Sequence, residues 1–321
     1  SIETPQIVAF TTQHGETTSA SMMSMFDEAG FEIQTIDLAA EEIPEDVRIL
    51  VISNPTNDFQ GFDGANPDVR TEMVKISEYM QSYRSLIVLV NKSTPALPNL
   101  QEYLWEYWGL NYKPQHLISD EKSSLPGPDY YSVIAEYVDK DSAEDGALGA
   151  SLYADISELD SMPKTVCRYA MPVDILWKEG GGLTGTRQVF PVLKSYSSSE
   201  VRRGEETLSS GSETIMTLSR DKVIINNENY YSYVLACGSA SFTSSDYLLS
   251  NAYANSEILR SAMLAMGRER ILTDIPYKAF DKTDITITTK QANAWTVLFT
   301  AALPVCISAA GVFVYVRRKH S

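Results

Sequence analysis

The chain has 321 residues, of which 44% are hydrophobic and 10% aromatic, so it can bury a large core and global disorder is excluded. The net charge is −16, and because Arg317, Arg318 and Lys319 near the end contribute +3, the part before them carries −19. A body this acidic repels nucleic acid at long range, so we expect no nucleic-acid partner.

Short apolar strands alternate with amphipathic helices over the first 115 residues. Strands are predicted at residues 6–10, 31–38, 48–53 and 86–91, and helices at residues 17–29, 68–84 and 99–108. Gly30 and Gly109 are typical of helix ends, and Asn99 is typical of a helix start. Strands that are apolar on both faces and alternate with helices predict an α/β fold with a mostly parallel sheet flanked by helices.

The second half is richer in predicted strands. Residues 139–149 are expected to form an exposed loop, and the polar residues 197–211 are interpreted as a mobile loop. Strands are predicted at residues 130–138, 165–170, 174–177, 188–196 and 230–237, with a long helix at residues 250–267. Residues 1–120 are therefore the first half of the body. Residues 121–285 are the second half of the same domain or a closely packed lobe.

Residues 295–316 form an uncharged stretch of 22 residues. As a helix this stretch is about 33 Å long, close to the ~30 Å hydrocarbon thickness of a bilayer. Trp295 and Tyr315 stand at its ends as interfacial aromatic residues do, and a basic tail follows at once. A buried core helix is the alternative. The pattern favours a single span in the cell membrane, with lipid around it.

The positive-inside rule orients the predicted span. It places the tail, residues 317–321, in the cytoplasm and residues 1–293 outside it, with residues 286–294 as a juxtamembrane linker. One face of the span carries small or polar residues at a spacing of three or four, namely Thr296, Thr300, Pro304, Ser308 and Gly311. Such stripes let helices approach closely in lipid, which predicts a packing face, although small residues are also simply common in membrane helices.

Several segments, in order along the chain, resemble one known family. They are His14-Gly15-Glu16 after the first strand, DVRILVISNPTNDF at residues 46–59, LIVLVNKSTPALPNLQEYLWEYWGL at residues 86–110, and VLACGSASFTSSDYL at residues 234–248 with a helix led by Asn255. Together with the C-terminal helix and its basic end, they resemble GldG-type proteins, the auxiliary subunits of ABC-2 transport systems. The resemblance implies a glutamine-amidotransferase-like α/β ectodomain. It also implies an ABC-2 type permease and an ABC ATPase as partners.

Candidate site residues follow two of the predicted strands. His14 and Glu16, with Gly15 between them, could form an acid–base pair at the carboxyl end of a strand, where α/β proteins place ligands. A structural turn is the alternative, and it is favoured because the turn brings no nucleophile with it. Ser239 and Ser241 also follow a strand, but their segment lacks the final glycine of a nucleophile elbow. These five residues are ligand or interface candidates, and no catalytic residue is assigned.

The cysteines do not indicate a reactive site. Cys167 and Cys237 could pair, but both lie in apolar runs typical of buried strands, which favours two free thiols. Without a C-x-x-C pair, and with only three histidines, no metal or cofactor is predicted.

The function predicted from these features is that of a non-catalytic, membrane-anchored extracytoplasmic subunit of an ABC transporter complex. It would bind or gate an unknown substrate over the permease, and it would not be an enzyme. The alternative prediction is a membrane-tethered hydrolase or amidotransferase-like enzyme that uses the His14/Glu16 turn.

Overall fold

A computed structural model describes residues 5–66, 69–138, 163–181, 185–225 and 227–267, together with Thr300. The chain divides into two units, Ser1–Glu269 and Arg270–Ser321, and of the second unit only Thr300 is described. The exposed loop predicted at residues 139–149, the linker, the tail and the predicted span apart from Thr300 therefore lie outside the described residues. Within the described residues, no helix is both long and apolar enough to cross a membrane.

The first half of the chain builds a parallel sheet. Its strands are β1 (Gln6–Thr11), β2 (Phe31–Ile36), β3 (Val47–Ser53) and β4 (Ser85–Leu89), in the spatial order β2-β1-β3-β4. The connecting helices are α1 (Ala20–Glu28), α2 (Glu72–Gln81) and α3 (Pro98–Trp108). All seven predicted elements of this half are present, with bounds that shift by a few residues.

The second half adds antiparallel strands to the same sheet. They are β7 (Ser132–Tyr137), β8 (Thr165–Arg168), β10 (Glu179–Gly181), β11 (Arg187–Lys194), β14 (Thr214–Ile225) and β15 (Glu228–Cys237). Strand β15 lies parallel to β4 and antiparallel to β14, and β11, β7 and β8 continue the sheet beyond β14. The prediction of a mostly parallel sheet was wrong, because the strands beyond β15 all pair antiparallel. A tight turn with Asn227 at φ 68° joins β14 directly to β15. A connection this short can only produce an antiparallel pair.

Two small sheets stand apart from the central one. One contains β6 (Leu117–Ser119), β12 (Glu200–Arg203) and β13 (Glu206–Ser210), and the other contains β5 (Leu110–Tyr112) and β9 (Val173–Ile175). The interpretation of residues 197–211 as a loop was wrong, because this segment forms the β12–β13 hairpin around Gly204. Every residue of β13 is exposed, so the strand lacks the apolar alternation by which strands are recognised in a sequence.

Both faces of the central sheet are covered. Along β1, Val8 and Phe10 contribute to one hydrophobic core, and Ile7 and Ala9 to the other. Helix α1 and the late helix α5 (Asn255–Met266), which follows the short α4 (Ser245–Leu248), pack on the first face. Helices α2 and α3 pack on the second face. The strands are therefore apolar on both sides, as the sequence indicated.

Candidate functional site

The first candidate site lies where the order of the strands in the sheet reverses. The chain runs from β1 to β2 on one side and then crosses back to β3 on the other side of β1. In α/β sheets such a topological switch point, at the carboxyl ends of the strands, is the usual place for a ligand. The turn after β1 and the loop after β3 meet here, because the carbonyl oxygen of His14 accepts hydrogen bonds from the backbone N–H groups of Thr56 and Asn57 at 2.8 and 2.9 Å.

His14 is the centre of a buried ion-pair cluster. Its side chain is 7% exposed, and the carboxylates of Glu16 and Glu72 are 4% and 3% exposed. Nδ1 of His14 lies 3.3 Å from Oε1 of Glu16, and Nε2 lies 3.1 Å from Oε2 of Glu72. The imidazole also stacks on the ring of Phe59, with ring centroids 4.0 Å apart. Both ring nitrogens therefore face a carboxylate.

Backbone donors hold the two carboxylates in place. The N–H of His14 donates to Oε2 of Glu16 at 2.7 Å, and the N–H of Gln60 donates to Oε2 of Glu72 at 2.7 Å. Glu72 is the first residue of α2, where the positive end of the helix dipole favours a negative charge. The cluster thus joins the β1 turn, the loop after β3 and the start of α2.

The turn requires a glycine at position 15. Gly15 has φ 71°, a left-handed conformation that other residues adopt only with strain. A Cβ at this position would also lie 2.0 Å from Oγ1 of Thr56. The close approach of the turn to Thr56 therefore depends on the missing side chain.

The cluster carries opposite charges at neutral pH. Burial alone would lower the pKa of His14, but its hydrogen bonds and charge interactions with Glu16 and Glu72 outweigh burial and raise this pKa to about 9. Burial alone would raise the pKa of Glu16, but hydrogen bonds from the His14 side chain and from backbone amides outweigh it and lower this pKa. An imidazolium and an ionised Glu16 therefore face each other at neutral pH.

A cavity of about 470 Å³ lies beside the turn, on the side of β2. Glu16 and Gly15 form part of its wall, together with Phe10, Thr11, Thr12, Gln13, Thr18, Met23 and Thr35. The volume falls within the range of small-molecule sites, and the threonine side chains add polar atoms to the wall, although the hydroxyls of Thr11 and Thr12 donate to backbone carbonyl oxygens. The predicted turn therefore borders a space that can hold a small polar molecule.

The second pair of candidates occupies a different position. Ser239 is buried, and its hydroxyl donates to the carbonyl oxygen of Arg168 at 2.8 Å. Ser241 lies in a short 3₁₀ helix, Ala240–Thr243. Within the described residues, no hydrogen bond or ion pair connects either serine with His14. Ser239 therefore fixes the end of β15 against the last residue of β8, and its hydroxyl is not presented to a substrate.

Cys167 and Cys237 are both free and buried, as the sequence predicted. A hydrogen bond with Cys237 and complete burial raise the pKa of the Cys167 thiol. A buried thiol with a raised pKa is a poor nucleophile.

Sequence reasoning missed Glu72 and Phe59 as members of the site. Glu72 lies 58 residues after His14, and nothing near it in the sequence marks it apart from its place at a helix start. The stacking of Phe59 on His14 likewise depends on a loop whose path the sequence does not reveal. Within the described residues, no group of His, Cys, Asp and Glu side chains has the arrangement of a metal site.

Comparison with known proteins finds similarity only among solved structures. No family model and no curated protein matches the chain. A glutamine amidotransferase from Thermotoga maritima is 11% identical, with 83% of this chain and 84% of that chain covered at a TM-score of 0.37. PurLQS from Thermotoga maritima is 7% identical, with 83% of this chain and all of that chain covered, also at a TM-score of 0.37.

The chain itself has a mixed α/β fold, in which helices cover a central sheet. The prediction of a non-catalytic transporter subunit disagrees with these matches, which are described as a glutamine amidotransferase and PurLQS, and it is not proposed again. The prediction that the chain is not an enzyme disagrees with these matches as well. At a TM-score of 0.37 these matches carry no argument about this chain, so the assignment of a function depends on the geometry of the site.

Proposed function

We propose that the chain is a hydrolase or amidotransferase-like enzyme whose substrate occupies the cavity beside the His14/Glu16 turn. The observation that supports the proposal is a buried histidine between two carboxylates at the switch point of the sheet, with one of its partners, Glu16, in the wall of a 470 Å³ cavity. Removing the charged His14 and the ionised Glu16 from water costs several kcal/mol per ion before pairing offsets it. Titratable groups with shifted pKa values beside a cleft are typical of functional sites.

Glu16 is the residue of the cluster that borders the cavity, and it is the proposed base. In hydrolysis of a small amide, a water oxygen attacks the carbonyl carbon while Glu16 takes the proton from that water. The C–N bond then breaks, and the proton passes from Glu16 to the departing amine, which leaves a carboxylic acid and an amine. The hydroxyl of Thr18 is the proposed donor to the carbonyl oxygen, because the hydroxyls of Thr11 and Thr12 donate to the carbonyl oxygens of Val51 and Ile36.

His14 is a positioning residue in this proposal. Both of its ring nitrogens face carboxylates, so it holds the side chain of Glu16 and does not itself reach the cavity. The lowered pKa of Glu16 keeps it ionised at neutral pH, which is the state that accepts a proton.

The test is turnover of small primary amides and esters, L-glutamine among them, by the full chain in mild detergent. Glu16→Gln should lower kcat by about 100-fold or more, because it removes the base. His14→Gln should lower kcat and change the pH profile, because it releases Glu16. Glu257→Gln is the matched control, since it removes one carboxylate from an exposed pair with Arg260.

Two results would contradict the proposal. One is the absence of turnover across the whole panel by the unaltered chain. The other is unchanged turnover in Glu16→Gln and His14→Gln while their free energy of unfolding falls, which would make the cluster a structural link between loops.

The membrane span, the extracytoplasmic position of the body and the permease and ATPase partners remain proposals of their own. They are supported by the uncharged run at residues 295–316, the basic residues after it and the ordered resemblance to GldG-type proteins. Carbonate extraction should leave the full chain with the membrane and release a chain that ends at residue 294. Pull-down in mild detergent should recover a multi-span permease and an ATPase, and recovery of a lone monomer would count against these partners.

A further inference from the structure

A second cavity, far from the His14 cluster in the strand order, collects lysines in an otherwise acidic chain. It has a volume of about 730 Å³ and lies at the β7, β8 and β11 end of the sheet. Its wall contains Lys122, Lys164 and Lys194 against one acidic residue, Glu136. Because the whole chain carries −16, a local excess of two positive charges is the opposite of what its composition predicts.

Three separate segments bring the lysines together. Lys194 lies opposite Glu136 in the pairing of β11 with β7, with the two charged groups 3.5 Å apart. Lys122 precedes Ser123, whose carbonyl oxygen accepts a hydrogen bond from the N–H of Ile134 on β7 at 2.8 Å. Lys164 directly precedes β8, which pairs with the other edge of β7. The cluster is therefore a product of the fold, and no local pattern in the sequence contains it.

The backbone of Lys122 is held by a buried carboxylate. Oδ1 of Asp120 accepts hydrogen bonds from the N–H groups of Lys122 and Ser123 at 2.9 and 2.8 Å, and the hydroxyl of Ser198 donates to the same side chain. Asp120 is 1% exposed. Among the described residues neither Lys122 nor Lys164 forms an ion pair, so two ammonium groups remain available to a ligand.

The rest of the cavity wall is largely apolar and aromatic, so it can pack against a ring compound. Ile134, Ala135 and Pro163 provide an apolar surface, and Tyr196, which is 38% exposed, offers an aromatic face beside Lys194. Aromatic rings and hydroxyl groups beside cationic side chains are the means by which proteins bind anionic ring compounds. The volume lies within the range of small-molecule sites.

We propose that this cavity binds a small phosphate-bearing ring compound, such as a sugar phosphate, through Lys122, Lys164 and Lys194. The phosphate lies among the three ammonium groups, and the ring lies against Tyr196 and the apolar wall. Glu136 opposes binding, because it neutralises Lys194 and repels the phosphate. This site does not depend on the proposed activity at the His14 cluster.

The test is calorimetric titration of the full chain in mild detergent with glucose 6-phosphate, inorganic phosphate and glucose. Glucose 6-phosphate should bind saturably and more tightly than either of the others. The double variant Lys122→Gln/Lys164→Gln should weaken it on the order of tenfold, as the loss of two exposed charge contacts implies. Raised salt should weaken it as well.

Two further variants separate this site from a general effect of charge. Glu136→Gln should tighten binding, a gain that misfolding cannot produce. Lys113→Gln removes one positive charge from an exposed pair with Asp174 and should leave binding unchanged. The proposal is overturned if glucose 6-phosphate does not bind, if glucose binds equally well, or if Lys113→Gln weakens binding as much as the double variant does.

Discussion

At the scale of single residues, the turn after β1 tolerates a side chain least at Gly15. Gly15→Ala places a Cβ 2.0 Å from Oγ1 of Thr56, a branched side chain with little freedom to rotate. Gly30→Ala is the matched control, since Gly30 also has a positive φ but nothing within 4 Å of its added Cβ. We expect Gly30→Ala to cost about 1 kcal/mol of unfolding free energy through backbone strain. Gly15→Ala should cost a further 1–3 kcal/mol or so through steric overlap.

Urea denaturation of the two variants measures this difference. Equal losses would mean that the loop after β3 moves away freely, and the close contact between the two loops would then contribute little to stability.

His14 makes the stability of the protein depend on pH. Its pKa is about 9 in the folded chain and 6.5 in an unfolded chain, so folding favours the protonated form. The stabilisation is fully present below pH 6.5 and is lost as the pH rises through about 9, with an upper value of about 3 kcal/mol. Glu16 acts in the opposite direction, because its lowered pKa gives a stabilisation that is lost as the pH falls through its folded value.

The difference in unfolding free energy between the unaltered chain and His14→Gln measures this effect at pH 6 and pH 9.5. We expect the difference to shrink towards the higher pH. His116→Gln serves as the control for the removal of a histidine elsewhere. A difference that stays constant between the two pH values would show that His14 is not charged in the folded protein.

At the scale of elements, a carboxylate from another loop caps the start of α3. Its N-cap residue is Leu97, whose side chain makes no capping hydrogen bond. The prediction that Asn99 caps this helix was wrong, because Asn99 lies inside the helix and its side chain donates to the carbonyl oxygen of Phe59. The carboxylate of Asp58 accepts hydrogen bonds from the N–H groups of Asn99 and Leu100 at 2.8 and 3.3 Å. It thereby satisfies donors that the start of a helix leaves open.

Asp58→Ala should therefore lower the unfolding free energy by about 1–2 kcal/mol. Asp58→Asn should cost less, because it keeps an acceptor oxygen and loses only the interaction of the charge with the helix dipole. Thermal unfolding of the two variants separates these contributions. If both variants unfold like the unaltered chain, water replaces the cap at no cost.

The elements that the sequence predicted are those with a local signal. The strands around Val51 and Ile87 and the helix that ends at Gly109 follow from apolar periodicity and a glycine with positive φ, which act over a few residues. The antiparallel pairing of β14 with β15 depends on a short turn at Asn227, and the parallel pairing of β15 with β4 depends on a partner distant in sequence. The pairing of β12 with β13 joins strands of mostly polar residues. Periodicity does not record any of these.

The candidate site was likewise predicted only in part from the sequence. His14 and Glu16 are neighbours on one turn, so the sequence already places them together at the end of a strand. Glu72 and Phe59 join them only because β3 and the start of α2 lie beside β1. The lysines of the second cavity come from three distant segments, and sequence reasoning found none of them.

At the scale of the whole molecule, β15 connects the two halves of the chain. It pairs with β4 through Tyr233–Cys237 opposite Ser85–Leu89, and it pairs along its length with β14. All five residues of β4 are buried, so its edge toward β15 would be exposed without the second half. The face of α1 that carries Met22 and Phe26 also belongs to the core that contains the late helix α5.

A fragment of residues 1–120 should therefore not fold by itself, although it holds β1 to β4 and the first three helices. An unpaired, apolar strand edge promotes association, so we expect the fragment to elute as aggregate in gel filtration and to unfold without a cooperative transition. A fragment of residues 1–269, which keeps β15 and α5, should elute as a single species and unfold cooperatively. Cooperative unfolding of a monomeric 1–120 fragment would make the first half an independent domain, and β15 would then be an addition to a sheet that is already stable.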